Sequence, residues 1–164
     1  MKVLLLGSTG MVGRILLDKL LAHEKIQAVT TLSRRAIPEL ESNPKLTQHI
    51  VDFETLSEKD APLIQDHEVL FNCMGTTRAA AGGAAPFIRI DHDYPLKVMK
   101  MHNGHGLVLL TSTGSNPNSW FLYPQTKGRL EEACKSLELP NLAILRPGLL
   151  LLQVKWINIY KVIF

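Results

Sequence analysis

Cysteine is scarce in this 164-residue chain: Cys73 and Cys134 lie far apart, with no CxxC and no Cys/His spacing around either. Neither a disulfide framework nor a zinc site is indicated, and a reducing compartment is expected. A charge stripe is missing too. The formal net charge is +3, with lysines and arginines scattered among acids, so nucleic-acid binding gets no support. No apolar run reaches the roughly 20 residues that span a bilayer. Even the stretch from Leu149 to Phe164 is broken by Gln153, Lys155, Asn158 and Lys161; contact with a membrane surface, an exposed edge and a dimer contact all remain open for it. Between Met1 and the first apolar strand there is no room for a cleavable signal or an Arg-rich presequence, so any organelle targeting is expected to be internal. His92, His102 and His105 cluster loosely without a Glu or Cys partner, and no metal site is predicted.

What is present is a globular balance, with 46% hydrophobic and 20% charged residues, in a chain long enough for one sizeable core. Val3 to Leu6 is an unbroken apolar run ended by glycine, and Met11 to Ala22 carries apolar residues at helical spacing. Further strands are expected at Ala28 to Leu32, His49 to Val51, Val69 to Cys73, Leu107 to Leu110 and Ala143 to Leu145, with helices around Asp93 to His102 and Thr126 to Leu137. Ala79 to Ala85, rich in Ala and Gly, is expected to be a loop at the rim of the site. Alternation of strands and helices predicts an α/β fold, a doubly wound parallel sheet of about six strands. The expected organisation is one domain over 1–148 and an atypical apolar tail over 149–164.

The first strand runs into Gly7-Ser8-Thr9-Gly10-Met11-Val12-Gly13. Such a turn needs glycine because its backbone takes positive φ and comes close to a pyrophosphate, while the helix that follows offers free N–H groups. The spacing is GxxGxxG rather than GxGxxG, and no GK[ST] ending marks a P-loop. At the end of the second strand, where an acid would hold the adenosine ribose of NAD, the chain has Ser33-Arg34-Arg35. Guanidinium groups there suit a 2′-phosphate, so NADP(H) is the expected cofactor, with NAD(H) kept as an alternative. Asp52 and Phe53 after the third strand are candidates for adenine contact; a simple strand cap is the other reading.

The fifth strand ends in Thr111-Ser112-Thr113-Gly114, and Tyr123-Pro124-Gln125-Thr126-Lys127 opens the next helix as YxxxK. Four residues make about one helical turn, which puts Tyr123 and Lys127 on one face, toward the strand ends where Ser112 sits. These are the types that hydride chemistry asks for: a phenol to give or take the proton, an ammonium to lower its pKa, and a hydroxyl to hold a carbonyl. Bringing a phenol from pKa about 10 to about 7 takes roughly 4 kcal/mol of differential stabilisation.

Together with Asp52-Phe53-Glu54, Gly75-Thr76-Thr77-Arg78, Ile90-Asp91-His92-Asp93-Tyr94, Gly128 and Arg146-Pro147-Gly148, these pieces resemble the short-chain dehydrogenase/reductase superfamily over about residues 1 to 150. The resemblance is to its atypical branch around the mammalian Tat-interacting oxidoreductase-like protein and its fungal relatives. The run from Thr76 to Gly83 with Ile90 to Asp93 looks most like the fungal members, described as peripheral on the mitochondrial outer membrane, facing the cytosol. The resemblance implies an oxidoreductase acting on an unidentified carbonyl or hydroxyl substrate. By the same resemblance Gly7, Thr9, Gly10, Met11 and Val12 line the pyrophosphate and Arg34 the 2′-phosphate, with Gly13, Ser33 and Arg35 as further cofactor-binding candidates. Arg146, Pro147 and Gly148 close the nicotinamide end, Gly75, Thr76 and Thr77 are further cofactor-binding candidates, and Ser112, Tyr123 and Lys127 form the catalytic centre, Lys127 also holding the nicotinamide ribose. Arg78 is a candidate for the mouth of the site, with a surface role as the equal alternative. Asp91 stands in the region where other members carry a helix asparagine for proton relay. Family members continue for some tens of residues past the RPG motif. The tail after Gly148 departs from that pattern, and the expectation is a truncated product in which the cofactor half survives and the substrate pocket does not. A regulatory, cofactor-binding protein with little catalysis is the rival reading.

Overall fold

The computed structural model describes residues 1–148; the tail expected over 149–164 lies outside the described residues. Six strands, β1 (Lys2–Leu6), β2 (Ala28–Ser33), β3 (Leu46–Ile50), β4 (Val69–Asn72), β5 (Gly106–Leu110) and β6 (Asn141–Leu145), form one sheet in the order β3-β2-β1-β4-β5-β6. Every pairing is parallel, with Val3 opposite both Val29 and Val69. The order reverses between β1 and β4, and in open sheets of this kind the crevice above that point takes the ligand.

Strand β1 reads as a continuous apolar run because both of its faces are covered. Val3 and Leu5 pack with Leu16, Leu17 and Leu20 of α1 (Met11–Ala22). Leu4 and Leu6, pointing the other way, share a core with Val98 and Met99 of α4 (Tyr94–Met101) and Leu130 and Cys134 of α5 (Leu122–Lys135). The two helices meet where the Cys134 thiol lies 3.4 Å from the Met99 sulfur. Each of these buried leucines contributes about 2–5 kcal/mol by the cost of truncating it to alanine.

The doubly wound sheet is as expected, but several boundaries differ. Strands β3 and β6 begin earlier than the apolar pattern suggests, because parallel pairing with β2 and β5 extends them through Leu46 and Asn141. Ala79 to Ala85 is not a loop: α2 (Arg78–Ala81) and α3 (Ala84–Ile88) occupy it. The Thr77 hydroxyl accepts a hydrogen bond from Ala80 N–H at 3.1 Å, and Gly82 at φ 83° ends the turn. A cap at each end is enough to hold a single helical turn. Between α3 and α4, residues Arg89–Asp93 wind as a π-helical turn, a form common at functional sites.

Candidate functional site

The GxxGxxG turn divides its glycines by task. Gly7 has φ 79°, and a Cβ there would lie 2.5 Å from the carbonyl carbon of Cys73 at the end of β4. Gly13, in the first full turn of α1, has even less room: a Cβ would lie 2.0 Å from Gly7 O. Gly13 therefore lets the helix sit against the strand end. Gly10 is the exposed N-cap residue of α1 and has no side chain to satisfy the first N–H groups. Those groups and the helix dipole are left for an anion.

A cleft of about 450 Å³ opens here, lined by Gly7, Thr9, Gly10, Leu32, Ser33, Arg34, Arg35, Phe53, Cys73, Met74, Gly75 and Ile90. Most of the residues expected at the adenosine end line it. The Ser33 hydroxyl donates to Arg35 O at 2.6 Å, shaping a turn that leaves both guanidinium groups exposed. Phe53 is buried and stacks on Tyr94 with ring centres 5.7 Å apart. Met11, Val12 and Gly13 belong to α1 rather than to the cleft lining, and Asp52 accepts the Glu54 N–H at 3.0 Å, as a strand cap would. Thr77 caps α2, and Thr76 donates its N–H to Asp91. Met74, Ile90, Leu32 and Cys73 were not expected in the lining. Cys73 lies one residue past β4 and is half-buried, not inside the strand. Burial pushes its thiol up to about 12, although the nearby Lys127 charge pulls the other way.

Across the switch point, β5 delivers Ser112. Its hydroxyl oxygen is buried and has no hydrogen-bond partner among the described residues, which leaves it free for a ligand oxygen. Its neighbours are tied down: the Thr111 hydroxyl donates to Glu131 at 2.6 Å, and Thr113 N–H donates to Pro147 O at 2.8 Å. Tyr123 lies in the first turn of α5, 43% exposed, with its ring tilted against Phe87 at 5.9 Å. Lys127, one turn on, is buried, and its Nζ forms an ion pair at 2.7 Å with Asp91 Oδ1. The other Asp91 oxygen accepts the Thr76 N–H at 2.8 Å. Burial raises the Asp91 carboxyl above its ordinary range, against the pull of Lys127 and Thr76. Gly128 lets α5 approach the loop after β5, where a Cβ would lie 2.3 Å from Asn116.

Arg146 is not in the cleft lining. Its guanidinium is bound to Glu131 of α5, with Nε 3.0 Å from Oε1. Glu131 is almost fully buried; that burial raises its carboxyl, but hydrogen bonds from Arg146 and Thr111 outweigh it and hold the group below its ordinary value. The RPG segment thus braces the β5 loop. Arg78 heads α2 and is exposed.

The arrangement fits a dinucleotide laid across the switch point, with a glycine cradle and basic rim on one side and a buried lysine and a free serine hydroxyl on the other. Comparison with known proteins agrees. Residues 3–82 match the family model described as the saccharopine dehydrogenase NADP binding domain. In fold, the chain superposes on UDP-glucuronic acid 4-epimerase from Bacillus cereus in complex with NAD, with a TM-score of 0.72 at 18% identity, over 90% of this chain and 56% of the other. These findings support a nicotinamide cofactor. Rat HTATIP2 is 40% identical over 91% of this chain, which spans 62% of the rat protein's length. The mitochondrial protein FMP52-1 of Scheffersomyces stipitis is 38% identical over 92% of this chain and 68% of its own length. The chain belongs to the family of HTATIP2 and the fungal FMP52 proteins.

Proposed function

We propose that the chain binds NADP(H) and serves as an oxidoreductase of the short-chain dehydrogenase/reductase type on a small carbonyl or hydroxyl compound. The observation that carries this reading is the cleft at the β1/β4 switch point, lined by Gly7 and Gly10 and by the exposed Arg34 and Arg35. Gly7, Thr9 and Gly10 would hold the pyrophosphate, and Arg34 with Arg35 the 2′-phosphate; without that phosphate contact the cofactor would be NAD(H). When bound, the nicotinamide supplies the hydride donor or acceptor. Tyr123 gives or takes the proton at its phenolic oxygen, Ser112 Oγ orients the reacting oxygen, and Lys127 places a positive charge beside the phenol. Pro147 and Gly148, held to the loop after β5 by the hydrogen bond from Thr113 N–H to Pro147 O, would border the nicotinamide end.

The test is one preparation in two steps: NADPH binding followed by its fluorescence, then turnover against a panel of aldehydes, ketones and quinones. Tyr123-dependent turnover is the expected result. Absence of NADPH binding would overturn the cofactor assignment. A second reading, a cofactor-binding regulatory protein with little catalysis, draws on the exposure of Tyr123. Binding without turnover would select it. The mitochondrial names of the fungal relatives support a mitochondrial location; a peripheral position on the cytosolic face of the outer membrane is our finer proposal, with the cytoplasm as the alternative. Fractionation with alkaline extraction and protease protection checks it.

A further inference from the structure

Lys127 is an unusual lysine: its ammonium is buried at a strand end, where an uncompensated charge is costly, and Asp91 is the acid that faces it, itself fully buried. Three features of the chain are arranged around this contact. The π-helical turn Arg89–Asp93 carries Asp91 inward, and the preceding residue, Ile90, lines the cleft. Thr76 N–H fixes the second carboxylate oxygen at 2.8 Å, so the carboxylate cannot swing away with the lysine. Gly75, on the cleft wall, covers the pair without filling it: a Cβ there would lie 3.4 Å from Lys127 Nζ and 3.5 Å from Asp91 Oδ1.

We propose that Asp91 is the positioning residue for Lys127, holding the ammonium against Gly75 so that its remaining N–H donors face the nicotinamide half of a bound dinucleotide. The inference rests on the cofactor reading above. A lysine side chain has four rotatable bonds and a point charge with no preferred plane; one carboxylate oxygen, anchored from behind by a backbone amide, supplies the direction it lacks. The residue acts through Lys127 and is not itself in contact with the ligand. Lys127 lies beside Gly75, after β4, across the switch point from Arg34, after β2. The two halves of the cofactor therefore read the pair differently.

The experiment compares two probes by calorimetric titration: NADPH, which has both halves, and adenosine 2′,5′-bisphosphate, which has only the adenosine half. Asp91→Asn is expected to weaken NADPH about tenfold, the scale of a single charge-assisted hydrogen bond, and to leave adenosine 2′,5′-bisphosphate within about twofold. If Asp91→Asn does not fold, Asp91→Glu keeps the charge and shifts the carboxylate by a methylene, and the same weakening confined to NADPH is expected at smaller size. A weakening shared equally by both probes, or none in either, overturns the positioning role and makes the pair structural only. A wild-type chain that binds neither probe overturns the cofactor reading itself, and this inference with it.

Discussion

At the ends of β1 and β2 the cleft is walled by backbone. Gly7 turns, Gly10 leaves α1 uncapped, Gly13 lets the helix close in, and the Ser33 hydroxyl bends the chain so that two arginines face out. At the ends of β4 and β5, across the switch point, the wall behind the cleft lining is made of side chains that hold one another: Asp91 with Lys127, Glu131 with Arg146 and Thr111, Phe87 with Tyr123. The first wall depends on what is absent, a Cβ at three positions. The second depends on charges brought together from three segments of the chain, and it can be altered one pair at a time. The backbone wall suits a ligand part common to many proteins, the pyrophosphate and adenosine; the side-chain wall is where a family can vary its chemistry.

The largest effect is expected where the backbone wall is filled. Gly13→Ala puts a Cβ 2.0 Å from Gly7 O, and neither backbone can move without shifting the strand end or the helix. We expect a destabilisation at the upper end of the about 1–3 kcal/mol typical of overpacking and a drop in NADPH affinity of about 100-fold or more, read by chemical unfolding and fluorescence titration. If Gly13→Ala binds NADPH normally, the contrast between the walls collapses. Tyr123→Phe addresses the other wall. It removes the hydroxyl of a half-exposed residue and keeps the ring on Phe87, so NADPH affinity and stability should hold while turnover of any substrate found falls by about 10²–10⁴, the range for a positioned acid or base.

The basic rim separates cofactor identity from the cradle. Arg34→Ala should weaken NADPH by about 10- to 30-fold, the worth of a charge-assisted hydrogen bond to a phosphate, and leave NADH within about twofold. Competitive titration of the two nucleotides reads this directly. Equal weakening of both would assign Arg34 to the pyrophosphate instead.

The backbone wall was legible in the sequence because it follows from residue type alone. A glycine after an apolar run and before a helical repeat has few other uses, and the absence of an acid after β2 is visible without a fold. The sheet was legible for a similar reason: strands buried on both faces read as unbroken apolar runs. The side-chain wall was legible only in part. Ser112, Tyr123 and Lys127 stand out by spacing, but their partners do not, because Asp91 lies 36 residues before Lys127 in the chain and meets it only once α5 packs beside the π-helical turn. Arg146 attracted a cofactor role by motif, and nothing local in the sequence points to Glu131. The helical turns at 78–88 were hidden by brevity; Thr77 and Gly82 were the signals, and they are weak until seen as a pair of caps.

Glu131 gives the smallest effect and the sharpest check that part of the second wall is brace rather than ligand contact. Glu131→Leu keeps the bulk but leaves the buried Thr111 hydroxyl with only its longer hydrogen bond to Leu145 O at 3.4 Å, while the half-exposed Arg146 can turn to water. The expected cost is roughly 1 kcal/mol, the low end for a buried group left unsatisfied, with NADPH affinity unchanged within about twofold. The pH dependence has a definite sign. Because the folded-state carboxyl is held below its ordinary value of 4.5, its contribution to stability is fully present above that pH and is lost as the pH falls through the lower folded value. The stability difference between wild type and Glu131→Leu should therefore be constant at neutral pH and narrow on acidification below about 4.5. A difference that stays constant to the acid end, or one that widens, would mean that the Glu131 charge is not what braces the Ser112 loop.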